Sequence, residues 1–201
     1  FDLSIKIMEE ALHKNPNNPY FLNNIAISHH NSGHFKKAEY YFKRGLEIAP
    51  RYINILNNLG NLKKDLNQMV EAIQYYSKSL EIEENVLETQ LNLANIYNSL
   101  GKFEEAKLHF RKVLQINPNY TEAHRLISET TKYDLNNVHF KEMLDKINDE
   151  YLSQMQLVHL HFGIGKAYGD LSDYKNSFEN YSTANQYLKI ISKYEIKTDT
   201  S

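Results

Sequence analysis

The chain of 201 residues has no cysteine and no tryptophan, and only 4 prolines and 7 glycines. Without cysteine there is no disulfide, no thiolate nucleophile and no cysteine-ligated zinc. So little proline and glycine speaks against a turn-rich β architecture and favours long helices. An excess of one charge is missing too: 23 Lys plus Arg stand against 25 Asp plus Glu, for a formal net charge of −2. The strong positive field of a general nucleic-acid binder is therefore absent, and no nucleic-acid partner is expected. No apolar run approaches the roughly 18 residues that span a bilayer, so no membrane partner is expected either. The chain opens on Phe1 rather than Met, with no charged stretch leading into an apolar one. It reads as a piece of something longer, for which a cytoplasmic setting is the default expectation. What is abundant is asparagine, at 23 residues, and tyrosine, at 15. The apolar fraction of 41% is enough to bury a core.

Self-similarity organises the chain. Pro16, Pro50 and Pro118 are separated by 34 and 68 residues, and Gly33 and Gly101 by 68. Ala38, Ala72 and Ala106 recur every 34 residues, as do Phe42, Tyr76 and Phe110. If Ala38 is placed in slot 20 of a 34-residue unit, complete units run 19–52, 53–86 and 87–120. Slot 8 then holds Ala26, Gly60 and Ala94, small residues where a first helix (helix A) crosses a second (helix B) closely. Slot 24 holds the aromatics, which fit as knobs into that hole. Leu22, Ile25, Ala26 and His29 follow the three-and-four spacing of a helix face. Gly33 is available for the left-handed end of helix A, and Asn67 takes that place in the second unit. Pro50 and Pro118 lie just past a B helix, which they cannot continue.

These residues give the chain a resemblance to tetratricopeptide repeat proteins. The resemblance implies an all-α fold, a right-handed α–α superhelix of antiparallel helix pairs, here about ten to eleven helices. Residues 1–190 are expected to form a single solenoid. Residues 1–18 supply the B helix of a preceding unit, with Pro16 in slot 32. A degenerate unit covers 121–154, with bulky Phe140 in slot 20. A last unit covers 158–190, after a three-residue slip within 149–157. Residues 191–201 are polar and are expected to form a tail or a linker to a further domain.

Enzymatic chemistry finds little support. Gly163, Gly165 and Gly169 with Lys166 lack the preceding strand and the Ser or Thr after the lysine that a phosphate loop needs. His159 and His161 are two residues apart and so lie on different faces of a helix, a poor metal pair. His30 and His34, one turn apart, read as a solvated helix end more readily than as a transition-metal site. Glu83 with Glu84, and Glu104 with Glu105, read as solvated faces and dipole complements. No catalytic residue, metal or cofactor is expected. Tyr76, Tyr97 and Tyr181 fall on slots that pack the core.

In the family that this chain resembles, helix A lines a concave groove through slots 2, 5, 6, 9, 12 and 13. Slot 6 holds Asn24, Asn58 and Asn92; slot 9 adds Asn61 and Asn95; slots 5 and 12 add Asn23, Asn57 and Asn98. An amide both donates and accepts, so a ladder of them can pair with the backbone of an extended peptide. A similar ladder occurs in the repeats of the protein O-GlcNAc transferase. Two readings stay open: a ligand groove, or amides that bond between adjacent A helices. The lysines and arginine that hold chaperone C-termini are replaced by Asn23, Glu88 and Asn92, so no carboxylate clamp forms. The expected partner is a protein or an extended peptide. Self-association through exposed repeat ends is a further expectation.

The strings Tyr120-Thr121-Glu122-Ala123-His124-Arg125, Thr131-Lys132-Tyr133 and His159 to Tyr168 also resemble the end of the repeat region in bacterial repeat–sulfotransferase fusions. That resemblance implies a substrate-presenting arm whose catalytic domain follows this chain. The sulfuryl-donor loop of that family is not among the present residues.

Overall fold

The computed structural model describes residues 2–198; Phe1 at the start of the expected half unit and residues 199–201 of the expected tail lie outside the described residues. Eleven helices follow one another, and no strand occurs among the described residues. They are α1 (Asp2–Lys14), α2 (Pro19–Asn31), α3 (Phe35–Ile48), α4 (Ile53–Asp65), α5 (Met69–Ile82) and α6 (Leu87–Ser99), then α7 (Phe103–Ile116), α8 (Thr121–Thr130), α9 (Val138–Lys146), α10 (Gln154–Asp170) and α11 (Tyr174–Thr198).

From α2 to α7, each helix ends where the period places a turn. Asn18 caps α2 by accepting from the Tyr20 amide, with Pro19 at the first helical position. Slot 15 is left-handed in three units, Gly33 at φ 74°, Asn67 at φ 59° and Gly101 at φ 71°, and Ser172 is left-handed too at φ 61°. Asn67 thus does the work of the missing glycine. Ser172 takes the same left-handed turn between α10 and α11. At the start of α10, Ser153 and Gln156 form a capping box. The intervening unit has no such turn: α8 stops at Thr130, and Asn137 restarts the chain by accepting from the amides of His139 and Phe140. At the other end, α11 continues to Thr198, where a tail from residue 191 is expected. The segment holds neither Gly nor Pro, so helix propagates through it without an apolar stripe.

The chain divides into two compact units, residues 1–96 and 97–201. In the first, Ala26, Ala38, Phe42, Ile55, Leu59 and Leu62 form a closed cluster. Small residues set its spacing. A Cβ built on Gly60 would lie 2.5 Å from the Tyr76 ring. In slot 11, His29 stacks on Tyr41, with centroids 5.5 Å apart. Lys63 holds the same slot one unit later. It is buried, bridging Glu71 at 2.8 Å and Glu39 at 3.0 Å. Burial opposes its charge, but the two carboxylates outweigh it and its pKa is raised.

The second unit repeats the stack with the partners exchanged: Tyr97 in slot 11 lies 5.5 Å from His109. Its core gathers Tyr133, Phe140, Met143, Leu160, Ile164 and Ala167. Phe140 fills slot 20 and meets Tyr168 edge-on at 5.1 Å. Behind it runs a buried polar chain, Tyr133 Oη to His139 Nδ1 at 2.7 Å and His139 Nε2 to His124 Nδ1 at 3.0 Å. Burial, helped by the Arg111 charge, pushes His124 down to about 4 and His139 down to about 3.

Both imidazoles return to about 6.5 on unfolding, so the unfolded chain binds more protons in acid. Their contribution is complete above pH ~6.5 and is lost as pH falls toward the folded values. His29, His109 and His159, also lowered by burial, act in the same direction. Urea denaturation from pH 7.5 to 4.5 should show stability falling by about 1–3 kcal/mol per pH unit in the steepest region. A flat profile above pH 5 would contradict the buried neutral chain.

Candidate functional site

Helix A of each unit carries the asparagines, and the first unit brings most of them together. Asn58 Nδ2 donates to Asn23 Oδ1 at 2.9 Å, tying α4 to α2. Asn92 Nδ2 donates to Asn61 Oδ1 at 3.2 Å, and Thr89 Oγ1 donates to Asn57 Oδ1 at 2.8 Å, tying α6 to α4. Asn61 Oδ1 also accepts from the Tyr76 hydroxyl at 2.6 Å, and Asn92 Oδ1 from Lys64 Nζ at 3.0 Å. The second of the two open readings, amides bonding between A helices, therefore describes these side chains.

The eight asparagines separate by partner. Asn23 and Asn57, expected in the groove, are buried at 5% and 9% exposure. Their oxygens face a neighbouring helix because slot 5 points toward it. Asn58, Asn61 and Asn92 are half-buried, each with donor or acceptor capacity left over. Asn24, half-buried, and Asn95, exposed, make no side-chain hydrogen bond among the described residues. Asn98 belongs to the other compact unit and is not part of this network.

The inner face of the second unit has different chemistry. Arg125 and Glu129 of α8, His159, Phe162 and Lys166 of α10, and Tyr181 of α11 line a cleft of about 420 Å³. Arg125 lies between Glu122 and Glu129, and Lys166 is held by the Thr131 carbonyl and Asp170 while standing 5.2 Å over the Tyr133 ring. Burial opposes the Asp170 charge, but Lys166 outweighs it and the carboxyl sits below its ordinary range. Met155, Val158 and Leu188 make the walls apolar. Tyr181 packs its ring on Gly165, as its slot requires, and also lines this cleft, 6.1 Å from Phe162. His159 turns to Thr121 and His161 to Asn180, so this histidine pair diverges. His30 pairs with Asp65 at 2.9 Å rather than with His34.

Sequence reasoning missed this cleft although the slots point to it. Arg125 and Phe162 are in slot 5, Glu129 and Lys166 in slot 9, and His159 in slot 2. Following one residue type, asparagine, hid the positions where the type changes. Thr89 and the Tyr76 hydroxyl were invisible for another reason: both occupy packing slots, and only geometry shows where their polar ends emerge.

Two family models, both described as tetratricopeptide repeat, match residues 19–52 and 51–119, together half of the chain. No curated protein is similar enough in sequence to register as a relative. Among solved structures, the chain is similar to a crystal structure of MamA protein, at 16% identity and TM-score 0.70 over 88% of this chain and 95% of that one. It is also similar to YrrB, described as a TPR protein with an unusual peptide-binding site, at 14% identity and TM-score 0.69 over 90% of this chain and 91% of that one. These likenesses show the fold, an α–α superhelix of helix pairs. No helix among the described residues is long and apolar enough to cross a membrane.

The two kinds of asparagine should respond differently to truncation. Asn58→Ala strands the buried Asn23 oxygen without a donor and should cost about 1–3 kcal/mol in urea denaturation. Asn24→Ala breaks no side-chain bond and should stay within about 0.5 kcal/mol of the parent. The reverse order would contradict the assignment of ties and free amides.

Proposed function

Residues 19–119 are tetratricopeptide repeats, and from that premise we propose that this chain is a protein-binding scaffold whose inner helix face takes an extended peptide. One solenoid over 1–190 with the unit boundaries 1–18, 19–52, 53–86, 87–120, 121–154 and 158–190 is part of the proposal. The observation that carries it is a set of A-helix amides with unspent hydrogen-bonding capacity: Asn24 and Asn95 make no side-chain hydrogen bond among the described residues, and Asn58 and Asn92 are held in place by bonds that use only part of theirs. A peptide backbone offers a donor and an acceptor at each residue, which such amides can meet with little sequence preference. The helix ties reduce the entropy lost when the amides engage. The peptide-binding description of YrrB supports the reading through likeness of fold. No catalytic step, metal or cofactor is assigned to this chain.

A second reading makes the chain the substrate-presenting arm of a larger sulfotransferase. What favours it is that Arg125, His159, Phe162 and Lys166, which line the inner cleft of the second unit, come from the strings that carry that resemblance. A donor-loop motif in the reading frame after Ser201 would support it.

The peptide reading is testable without knowing the natural ligand. Peptides selected from a random displayed library against the whole chain should perturb the side-chain amide resonances of Asn24, Asn58, Asn92 and Asn95. Asn24→Ala with Asn95→Ala should weaken them by about 1–3 kcal/mol, two neutral hydrogen bonds, at unchanged melting temperature. Binders that leave all four resonances unmoved, or bind the double variant equally well, would overturn the proposal.

A further inference from the structure

The inner face of the first unit holds two opposite charges that do not pair with each other. Lys64 of α4 and Glu88 of α6 end one hydrogen-bond chain that crosses the seam between these helices. Lys64 Nζ donates to Asn92 Oδ1 at 3.0 Å, Asn92 Nδ2 to Asn61 Oδ1 at 3.2 Å, and Asn61 Nδ2 to Glu88 Oε1 at 3.5 Å. The direction of this chain is fixed from both ends. An ammonium can only donate and an ionised carboxylate can only accept, so each amide between them has one orientation. The Tyr76 hydroxyl, which donates to Asn61 Oδ1 at 2.6 Å, agrees with it.

Neighbouring charges are matched: Asp65 holds His30 at 2.9 Å, and Lys63 lies between Glu39 and Glu71. Lys64 and Glu88 are instead held apart by two amides, and neither has a counter-ion among the described residues. Lys64 keeps two N–H groups unspent and Glu88 keeps a whole carboxylate oxygen, so the seam has a donor end and an acceptor end. Lys64 is half-buried and Glu88 exposed. Burial first, and the Glu88 charge second, raise the Tyr76 pKa, so this carboxylate bears on the floor of the seam.

We infer that the peptide taken by this face carries one basic and one acidic side chain, the basic one on Glu88 and the acidic one on Lys64. The inference rests on the peptide reading and adds a side-chain preference to it. The amides meet the backbone of any sequence, and the two charges select among sequences. A segment with two basic or two acidic residues would set like charges together at one end. An extended chain rises about 3.3 Å per residue, so the two side chains belong about two to four residues apart.

The test selects random displayed peptides against the full chain at low salt, and in parallel against Glu88→Lys and Lys64→Glu. Peptides taken by the parent should be enriched in a basic and an acidic residue at that spacing. Glu88→Lys should exchange the basic preference for an acidic one, and Lys64→Glu should do the reverse. The best parent peptide is then made again with its basic residue as Gln. That change should weaken binding to the parent about fivefold, the upper range for an exposed ion pair, and make no difference to Glu88→Gln. Glu88 is exposed, so the melting temperature of Glu88→Gln should be unchanged, and this arm decides even if Lys64→Glu lowers stability. Peptides that shift the Asn24 and Asn95 amides but carry the same charges on all three chains would overturn this inference and leave the scaffold reading in place. An equal loss on the parent and on Glu88→Gln would do the same. If no selected peptide moves an inner-face amide, the peptide reading fails and this inference falls with it.

Discussion

The close crossing of helix A over helix B is the constraint on which the rest of the first unit depends. At Gly60 the two helices approach until only a hydrogen fits between the backbone and the Tyr76 ring. The ring is fully buried there, yet its hydroxyl emerges on the A-helix side and donates to Asn61. Asn61 in turn accepts from Asn92 on the next A helix. A packing requirement in the core thus fixes the position of polar groups on the inner face. Burial also holds the Tyr76 hydroxyl protonated by raising its pKa well above the ordinary range, which keeps it a donor.

Polar groups inside the two units are handled in contrasting ways. Lys63 is buried with two carboxylates and an amide, so its charge is compensated where it lies. His124 and His139 are buried as neutral rings that hydrogen-bond each other, and the second unit avoids charge there altogether. His29 has neither solution: among the described residues both buried ring nitrogens lack a hydrogen-bond partner, and the ring stacks on Tyr41 and meets His34 edge-on. The exchanged pair Tyr97 and His109 shows that the repeat conserves the stack in space while swapping its residues between helices.

Most of the architecture was legible in the sequence because the repeat imposes the same geometric demand every 34 residues. Ala38, Ala72 and Ala106 announce the helix crossing, and Gly33, Asn67 and Gly101 announce the left-handed turn. The direction of the asparagine side chains was not legible. Neighbouring amides in slots 5 and 6 differ by one helical step, and that step decides whether an oxygen meets the next helix or solvent. The inner cleft of the second unit was missed because its residues share slots and not chemistry, and the helical end beyond residue 191 because propensity continued a helix that amphipathic pattern did not call for.

The central claim is that the core places the polar inner face through Tyr76, Asn61 and Asn92. A double-mutant cycle with Tyr76→Phe and Asn92→Ala, read by urea denaturation, tests it most directly. Both variants remove one bond to the same Asn61 oxygen and leave the ring in place. The account predicts a coupling energy of about 0.5 kcal/mol or more between them, as for residues in one hydrogen-bond network. Strict additivity of the two effects would contradict it.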